Sequence, residues 1–418
     1  MDRHDLPDER FAWRIVLGSA LGVGVSYSSV VFLSFGVFLK PLVADFGWDR
    51  AQLSLAMTFA TLIIAASTPA LGELVDRFGA RRVLFPSIVA YSLLLGAMGA
   101  LGDKIWYFYL LFAAVALAGV GSSSVTYTRV ITSWFDQRRG LALGLAMSGV
   151  GLAAAAIPPL AQWMISRVGW RGAYVGFAGL VLAATPIIAL WLKERPAGPS
   201  RASGAPVPSS ITRDTMRLQG LTVSEARRSR VFWTLGLAFL LAALGIHGVM
   251  VHFVPLLTDR GLPAASAAGA AAMFGFGMLV GRVGSGYLMD HFFAPWVAAA
   301  FFAVGPLFGI LLLAGESGMA GVSAFLIGLG AGAEVDAIAL LTSRYFGLRH
   351  FGGIYGYFYA AFMLGTGLGP AAVGLGFEWT GSYAAPLSVA AGAVALLCVA
   401  LVTLGPFPDW RQNPQAPL

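Results

Sequence analysis

Charge is what this 418-residue chain has least of. Asp, Glu, Lys and Arg make up 11% of it, against about 25% in ordinary soluble domains. So few charges cannot cover a soluble fold of this length, and a cytosolic enzyme is excluded. Hydrophobic residues reach 58%, which excludes a disordered chain. There is one cysteine, Cys398, so neither a disulfide framework nor a thiolate metal site is available. Two of the five histidines fall in one apolar stretch. That is too weak a set for a metal, and no metal or other cofactor is expected. Gly277 and Gly281 sit inside an apolar run with no strand before them; they do not form a nucleotide loop. Without a nucleotide-binding domain, ATP hydrolysis is not the power source. No catalytic cluster emerges, and an enzyme is not expected.

What the chain does have is apolar length. About 20 such residues cross a bilayer as a helix. Twelve stretches qualify: 14–39, 52–74, 83–101, 105–132, 141–166, 172–192, 231–258, 264–288, 295–314, 318–343, 352–378 and 382–405. A membrane barrel would instead show short alternating strands. The charged start, Met1 to Arg10, has no small-residue cleavage site after it and reads as uncleaved. With the N-terminus placed in the cytoplasm, inside segments hold 19 of the 27 Lys and Arg and outside loops hold 6, while Arg129 and Arg282 fall within spans. That bias predicts both termini inside. The basic residues meet membrane lipid, and no nucleic-acid partner is expected.

Residues 193–230 differ from their surroundings. They carry Pro196, Pro199, Pro206 and Pro208, then Arg227, Arg228 and Arg230, and read as a cytoplasmic linker. Thr222 and Glu225 have capping-box spacing for a short helix. Six spans lie on each side, and the halves echo each other. Asp76 ends the second span and Asp290, 214 residues later, ends the eighth; Thr132-Ser133 closes the fourth and Thr342-Ser343 the tenth. The expected architecture is an all-α membrane protein of twelve transmembrane helices in two pseudo-symmetric six-helix bundles. The divisions are 1–13 (N-terminus), 14–192 (first bundle), 193–230 (linker), 231–405 (second bundle) and 406–418 (tail). Duplicated halves of this kind place a transporter's substrate site between them near midplane.

A charge inside a span costs about 2.5–3.5 kcal/mol on insertion scales, and so carries a partner and a role. Arg282 in the eighth span suits a carboxylate, which a guanidinium matches bidentately. Glu334 and Asp336 in the tenth lie two apart and point about 200° from each other. One of them is expected to pair with Arg282 or to take a proton; binding an anion to the arginine would release the acid for protonation. His247 and His252 in the seventh span can donate to a carboxylate or shuttle protons. His247 is assigned to the substrate site and His252 to proton coupling. Arg129, near the end of the fourth span, suits a gate or anchoring pair better than substrate contact. Ser124, Tyr127, Tyr27, Tyr355 and Tyr359 place hydroxyls at cavity depth. Each of these groups also has a bland reading, as packing or as a static pair. Glycines at four-residue spacing, Gly140/Gly144, Gly277/Gly281, Gly328/Gly332 and Gly365/Gly369, let helices approach closely.

Between the second and third spans, Gly72, Leu74, Asp76, Arg77, Gly79 and Arg81 resemble the loop motif of the major facilitator superfamily. Span count and linker position extend the resemblance over the whole chain. A narrower resemblance, to the monocarboxylate transporter and oxalate–formate antiporter branch, rests on Phe35 to Leu42 with Phe46-Gly47-Trp48, on Trp134 to Gly144, and on Arg282. That branch binds the substrate carboxylate with its arginine in the eighth span. Phe362 stands where the oxalate–formate exchanger carries a lysine, and Leu33 and Met278 stand where animal carriers have a lysine and an aspartate. Dicarboxylate–formate exchange is therefore not expected. The resemblance implies a monomeric secondary transporter in a bacterial inner membrane, moving a small organic anion, a monocarboxylate, together with a proton by alternating access. Asp76, Arg77 and Arg138 would form its cytoplasmic gate. An organic-anion exchanger or drug-type exporter of the same fold, and a non-transporting membrane sensor, stay open as alternatives.

Overall fold

The computed structural model describes residues 9–48, 50–135, 138–194, 220–315 and 317–408. Most of the expected linker, 195–219, and the ends, 1–8 and 409–418, lie outside the described residues.

Helices account for every span. The first is split into α1 (Glu9–Gly24) and α2 (Tyr27–Phe46); α3 (Arg50–Phe78) and α4 (Ala80–Ala97) follow. The fourth is split into α5 (Ile105–Gly119) and α6 (Ser124–Trp134), and α7 (Arg139–Trp191) carries the fifth and sixth. A short α8 (Val223–Ala226) precedes α9 (Arg230–Asp259) and α10 (Ala264–His291). The ninth span is α11 (Ala294–Phe302), a π-type turn (Ala303–Leu307) and α12 (Phe308–Gly315). Then come α13 (Ala320–Phe346), α14 (Phe351–Thr380) and α15 (Ala384–Val402). Ten described segments are long and apolar enough to cross a membrane. One of them, the 53-residue α7, breaks at Gly169 (φ 72°, ψ 171°) and makes two crossings. With α10, the crossings number twelve.

The breaks in the first and fourth spans touch. Backbone groups freed within a membrane need partners, and serines supply them. Ser26 and Ser29 both donate to the Val23 carbonyl (2.7 and 2.6 Å), Ser122 donates to Gly119 (2.8 Å), and the Tyr27 amide reaches Ser122 Oγ at 3.4 Å. At Gly119 an added Cβ would stand 2.6 Å from Tyr27 Cβ, so only glycine admits the second break beside the first.

The glycine rows are helix contacts. A Cβ at Gly277 or Gly281 would lie 2.0 Å from the carbonyl oxygen of Phe325 or Leu329, and one at Gly328 or Gly332 would meet those of Phe274 and Met278 at 2.1 and 2.2 Å. These pairs advance together, so α10 and α13 run parallel. Gly365 and Gly369 fit α14 to the Leu240 and Leu244 carbonyls of α9 in the same way. Further glycine contacts join the halves, among them Gly72 on α3 against the Gly352 carbonyl of α14, and Gly140 on α7 against that of Gly286 on α10.

Past its capping box, in which Thr222 Oγ1 accepts from the Glu225 amide and the Glu225 carboxylate accepts from the Thr222 amide, α8 docks on the α13–α14 turn. Its lead-in pairs there, Gly220 with Gly347 and the Leu221 amide with the Phe346 carbonyl (2.9 Å). On the other half, the Glu194 carboxylate accepts from the Arg81 amide (2.5 Å) at the start of α4.

Candidate substrate and gating sites

The parallel packing of α10 and α13 sets Arg282 beside Asp336. The closest atoms, Nη1 and Oδ1, are 3.9 Å apart, and the side chains are 3% and 1% exposed. At that distance the pair attracts without hydrogen bonding. Arg282 Nε and Nη1 and both Asp336 carboxylate oxygens have no hydrogen-bond partner. Two buried guanidinium donors thus stand free, the arrangement an incoming carboxylate would satisfy. Asp336 also faces the other half: a methyl at Gly144 on α7 would lie 3.6 Å from Oδ2 and 2.6 Å from the Arg282 carbonyl.

Glu334, two residues away, turns to α9. Its Oε2 is 3.2 Å from His247 Nε2, and its Oε1 has no partner. Phe362 presses edge-on against the His247 ring at 5.6 Å. The sequence left open which acid pairs with Arg282; the structure gives the arginine to Asp336 and the histidine to Glu334. His252 is placed elsewhere, its Nε2 bonded to the Pro370 carbonyl at 2.9 Å.

A ladder of stacked rings along α14, Phe351–Tyr355–Tyr359, continues to Phe362 at 5.6–5.8 Å centroid spacings. Its helical spacing puts all four on one face. The Tyr355 hydroxyl reaches Ser124 Oγ at 3.3 Å across the two halves. Ser124 opens α6, whose N-terminus lies inside the membrane because the fourth span is broken there. Unsatisfied amides and the helix dipole make such an end favour negative charge. Its N-cap, Ser123, makes no side-chain cap bond, and Ser123 Oγ is buried without a partner. The Tyr27 and Tyr127 hydroxyls are likewise buried and unpartnered; Tyr91, a neighbour absent from the sequence reading, donates to the Val25 carbonyl at 3.1 Å. The Tyr127 ring packs on Gly22, where any Cβ would fall 2.4 Å from it.

At one end the halves are clamped twice. Asp76, at the end of α3, accepts from the Gly352 and Gly353 amides at 3.0 and 2.8 Å. Asp290, at the end of α10, accepts from the Gly140 and Leu141 amides at 2.7 and 2.9 Å. Each carboxylate meets the N-terminus of a helix in the opposite half, where the helix dipole favours it. Arg129 Nε adds a contact to Asp76 at 3.1 Å. Arg77 stacks on Phe78, 5.2 Å from the ring centre. Arg138 sits at the N-cap of α7, and the neighbouring Arg139 donates to Ser343 Oγ at 3.0 Å across the halves. Farther from this end, a Cβ at Gly151 on α7 or at Gly275 on α10 would meet nothing within 4 Å.

The sequence profile described as Major Facilitator Superfamily matches residues 19–370. The chain belongs to this superfamily. Monocarboxylate transporter 13 of Bos taurus is 28% identical over 293 residues, covering 69% of this chain and 64% of the relative; the chain thus spans somewhat under two thirds of that relative's length. Among solved structures, the proton:xylose symporter XylE superposes with a TM-score of 0.73 at 13% identity, over 96% of this chain and 97% of that one. The human organic anion transporter MFSD10 gives 0.68 at 14% identity, over 94% and 100%. At those identities the structures speak for the fold alone. The chain shares that superfamily's multi-pass membrane fold.

Two residues of the contacts described above escaped the sequence reading as functional groups. Asp290 was visible there only as an echo of Asp76, and the signal that could have found it was the repeat itself: the same acid at the end of the second span of each half. Ser123 carried no signal, because its importance comes from a helix break that hydropathy does not register.

Proposed function

We propose that this transporter carries a small organic monocarboxylate together with a proton across a bacterial inner membrane, by alternating access. The observation that carries this reading is the buried Arg282, with two unsatisfied donors 3.9 Å from a carboxylate that also lacks partners. An anion taking the guanidinium releases Asp336, and a released carboxylate in this setting must take up a proton or stay buried as an unpaired charge. Anion and proton would thus travel together. Similarity to a monocarboxylate transporter supports the substrate class. Around the clamp, Ser124, Tyr355 and Tyr359 line the anion's place, with Tyr27 and Tyr127 on the first half and His247 toward Glu334. His252 braces α14 at Pro370.

Residues 14–192 and 231–405 would rock against each other about this site, joined by 193–230, with both termini cytoplasmic and the monomer as the working unit in lipid. Asp76, Arg77, Arg129 and Arg138 would make the cytoplasmic gate, with Asp290 as its second bolt. On this reading the clamped state described above would be the one with that gate shut.

The test is uptake into proteoliposomes. Under an inward proton gradient, labelled small monocarboxylates accumulate and a protonophore collapses the gradient-driven part; Arg282→Gln removes both. Accumulation of a neutral solute in place of every monocarboxylate, or uptake indifferent to the gradient, would overturn the proposal.

A further inference from the structure

The anion clamp leaves one buried acid unused. Glu334 is 1% exposed, one of its oxygens has no partner, and the other meets only an imidazole at 3.2 Å. We propose that His247 and Glu334 form a second proton-binding pair, separate from Arg282–Asp336, which must hold its proton before an anion settles on Arg282. This rests on the proposed transport of an anion at that arginine.

The argument is one of charge. Arg282 and Asp336 together are neutral. Glu334 with a neutral imidazole leaves one uncompensated negative charge buried in a span, which is costly. One proton from the outer solution brings the pair from −1 to 0, whether it resides on Nε2 or on the carboxylate. The His247 side chain is 23% exposed while Glu334 behind it is sealed, so the proton arrives through the histidine. Glu334 and Asp336 lie on opposite sides of α13, one helix diameter, about 10 Å, apart. An unprotonated pair therefore sets a buried negative charge across one helix from the one the substrate brings, and opposes it.

The other groups around His247 do not supply the missing charge. From α14 it meets the Phe362 ring, with Tyr359 next on the ladder. From α13 the acids are Glu334 and Asp336, and the latter faces Arg282 of α10. On α9 itself the nearest ionisable side chain is His252, bonded to Pro370. The single titratable side chain of α15, Cys398, is turned to the Ala299 carbonyl.

The experiment uses the full chain in nanodiscs with ring-nitrogen-labelled histidine. His247→Gln assigns the His247 signal among five. The pH response of this ring differs between wild type and Glu334→Gln, because the Glu334 carboxylate lies 3.2 Å from Nε2. Glu334→Asp, which keeps the charge, retains much of the difference. Calorimetry with lactate and acetate as probes gives the second readout. Wild-type affinity falls with rising pH by roughly tenfold per unit for each proton that must bind with the anion; in Glu334→Gln the fall is shallower by one proton, and what is left is the proton Asp336 takes up. An identical His247 titration in wild type and Glu334→Gln overturns the pair while leaving the anion clamp standing. A shifted titration with no binding of either probe supports the pair and counts against the monocarboxylate reading.

Discussion

Neutralising Asp76 tests whether the two carboxylates hold the gate shut. The Asp76 carboxylate accepts two backbone amides, from Gly352 and Gly353, and a guanidinium contact from Arg129. Asparagine has nearly the same shape, but one of its two positions is an NH2, a donor facing another donor. At least one charge-assisted hydrogen bond is lost, worth about 1.5–3 kcal/mol. The closed-to-open ratio should therefore fall by roughly tenfold to a hundredfold, with more to follow from the freed Arg129. Asp290 bonds two amides in a different helix pair, with the charge of Arg344 acting on it, so Asp290→Asn should fall in the same range. The clamps share no partner, and the double variant should show nearly additive effects. The readout is the distance distribution between spin labels at Arg82 and Arg228, exposed positions on opposite halves near the clamped end, in a background with Cys398 replaced. A closed population that survives Asp76→Asn unchanged would refute the clamp. Lost substrate affinity without any change in the distribution would show Asp76 to be part of the binding site instead.

Other outcomes follow from the same geometry. Arg282→Lys should weaken monocarboxylate binding about tenfold or more, measured by calorimetry, because one ammonium cannot reproduce two parallel hydrogen bonds. Gly140→Ala, whose methyl would fall 2.3 Å from the Gly286 carbonyl oxygen of the opposite half, can relieve its clash by opening; it should shift the label distances and leave the melting temperature nearly intact. Gly277→Ala, 2.0 Å from the Phe325 carbonyl oxygen within one half, has no such escape and should lose about 1–3 kcal/mol, read as a lowered melting temperature. Asp45, outside the spans, is held below the usual carboxylate range by hydrogen bonds from Arg171 (2.6 Å) and Trp170 (3.1 Å). Such a lowered group stabilises the fold above its unfolded value, and the stabilisation fades as pH falls through the folded one. The melting difference between wild type and Asp45→Asn should be small at pH 7 and shrink as pH falls below the ordinary carboxylate range.

How far the sequence speaks can be judged residue by residue. Hydropathy found the spans because the bilayer imposes one length on all of them. Arg282 and the two acids of the tenth span stood out because charge there is costly enough to need a reason. The glycine rows were readable because close helix approach requires small residues at one spacing. The partners of the charges were not readable. Glu334 and Asp336 differ by two positions, and only the crossing of α9 and α10 with α13 decides which base each meets. Asp76 was expected in a gate with Arg77 and Arg138, and the partners it bonds are amides nearly 280 residues later. Backbone donors have no sequence signature. The breaks at Val25-Ser26 and at Val120–Ser123 were hidden for a related reason: serine and glycine inside an apolar run read as ordinary membrane residues until a helix stops at them.

The two bolts also differ from ordinary ion pairs in what variation can do to them. Half of each is main chain, and no exchange of side chain at 140, 141, 352 or 353 takes an amide away, proline excepted. Drift at those four sites is limited by bulk alone, since methyls at Gly140 and Gly352 would crowd opposing carbonyl oxygens at 2.3 and 2.5 Å. Compensating changes across the interface, of the kind by which a salt bridge reverses its polarity over generations, have no second side chain to act on in these amide contacts, since Arg129 meets Asp76 from within its own half. The cross-half part of the lock therefore evolves through its two aspartates, and a lineage that loses either restores it only by placing an acid there again.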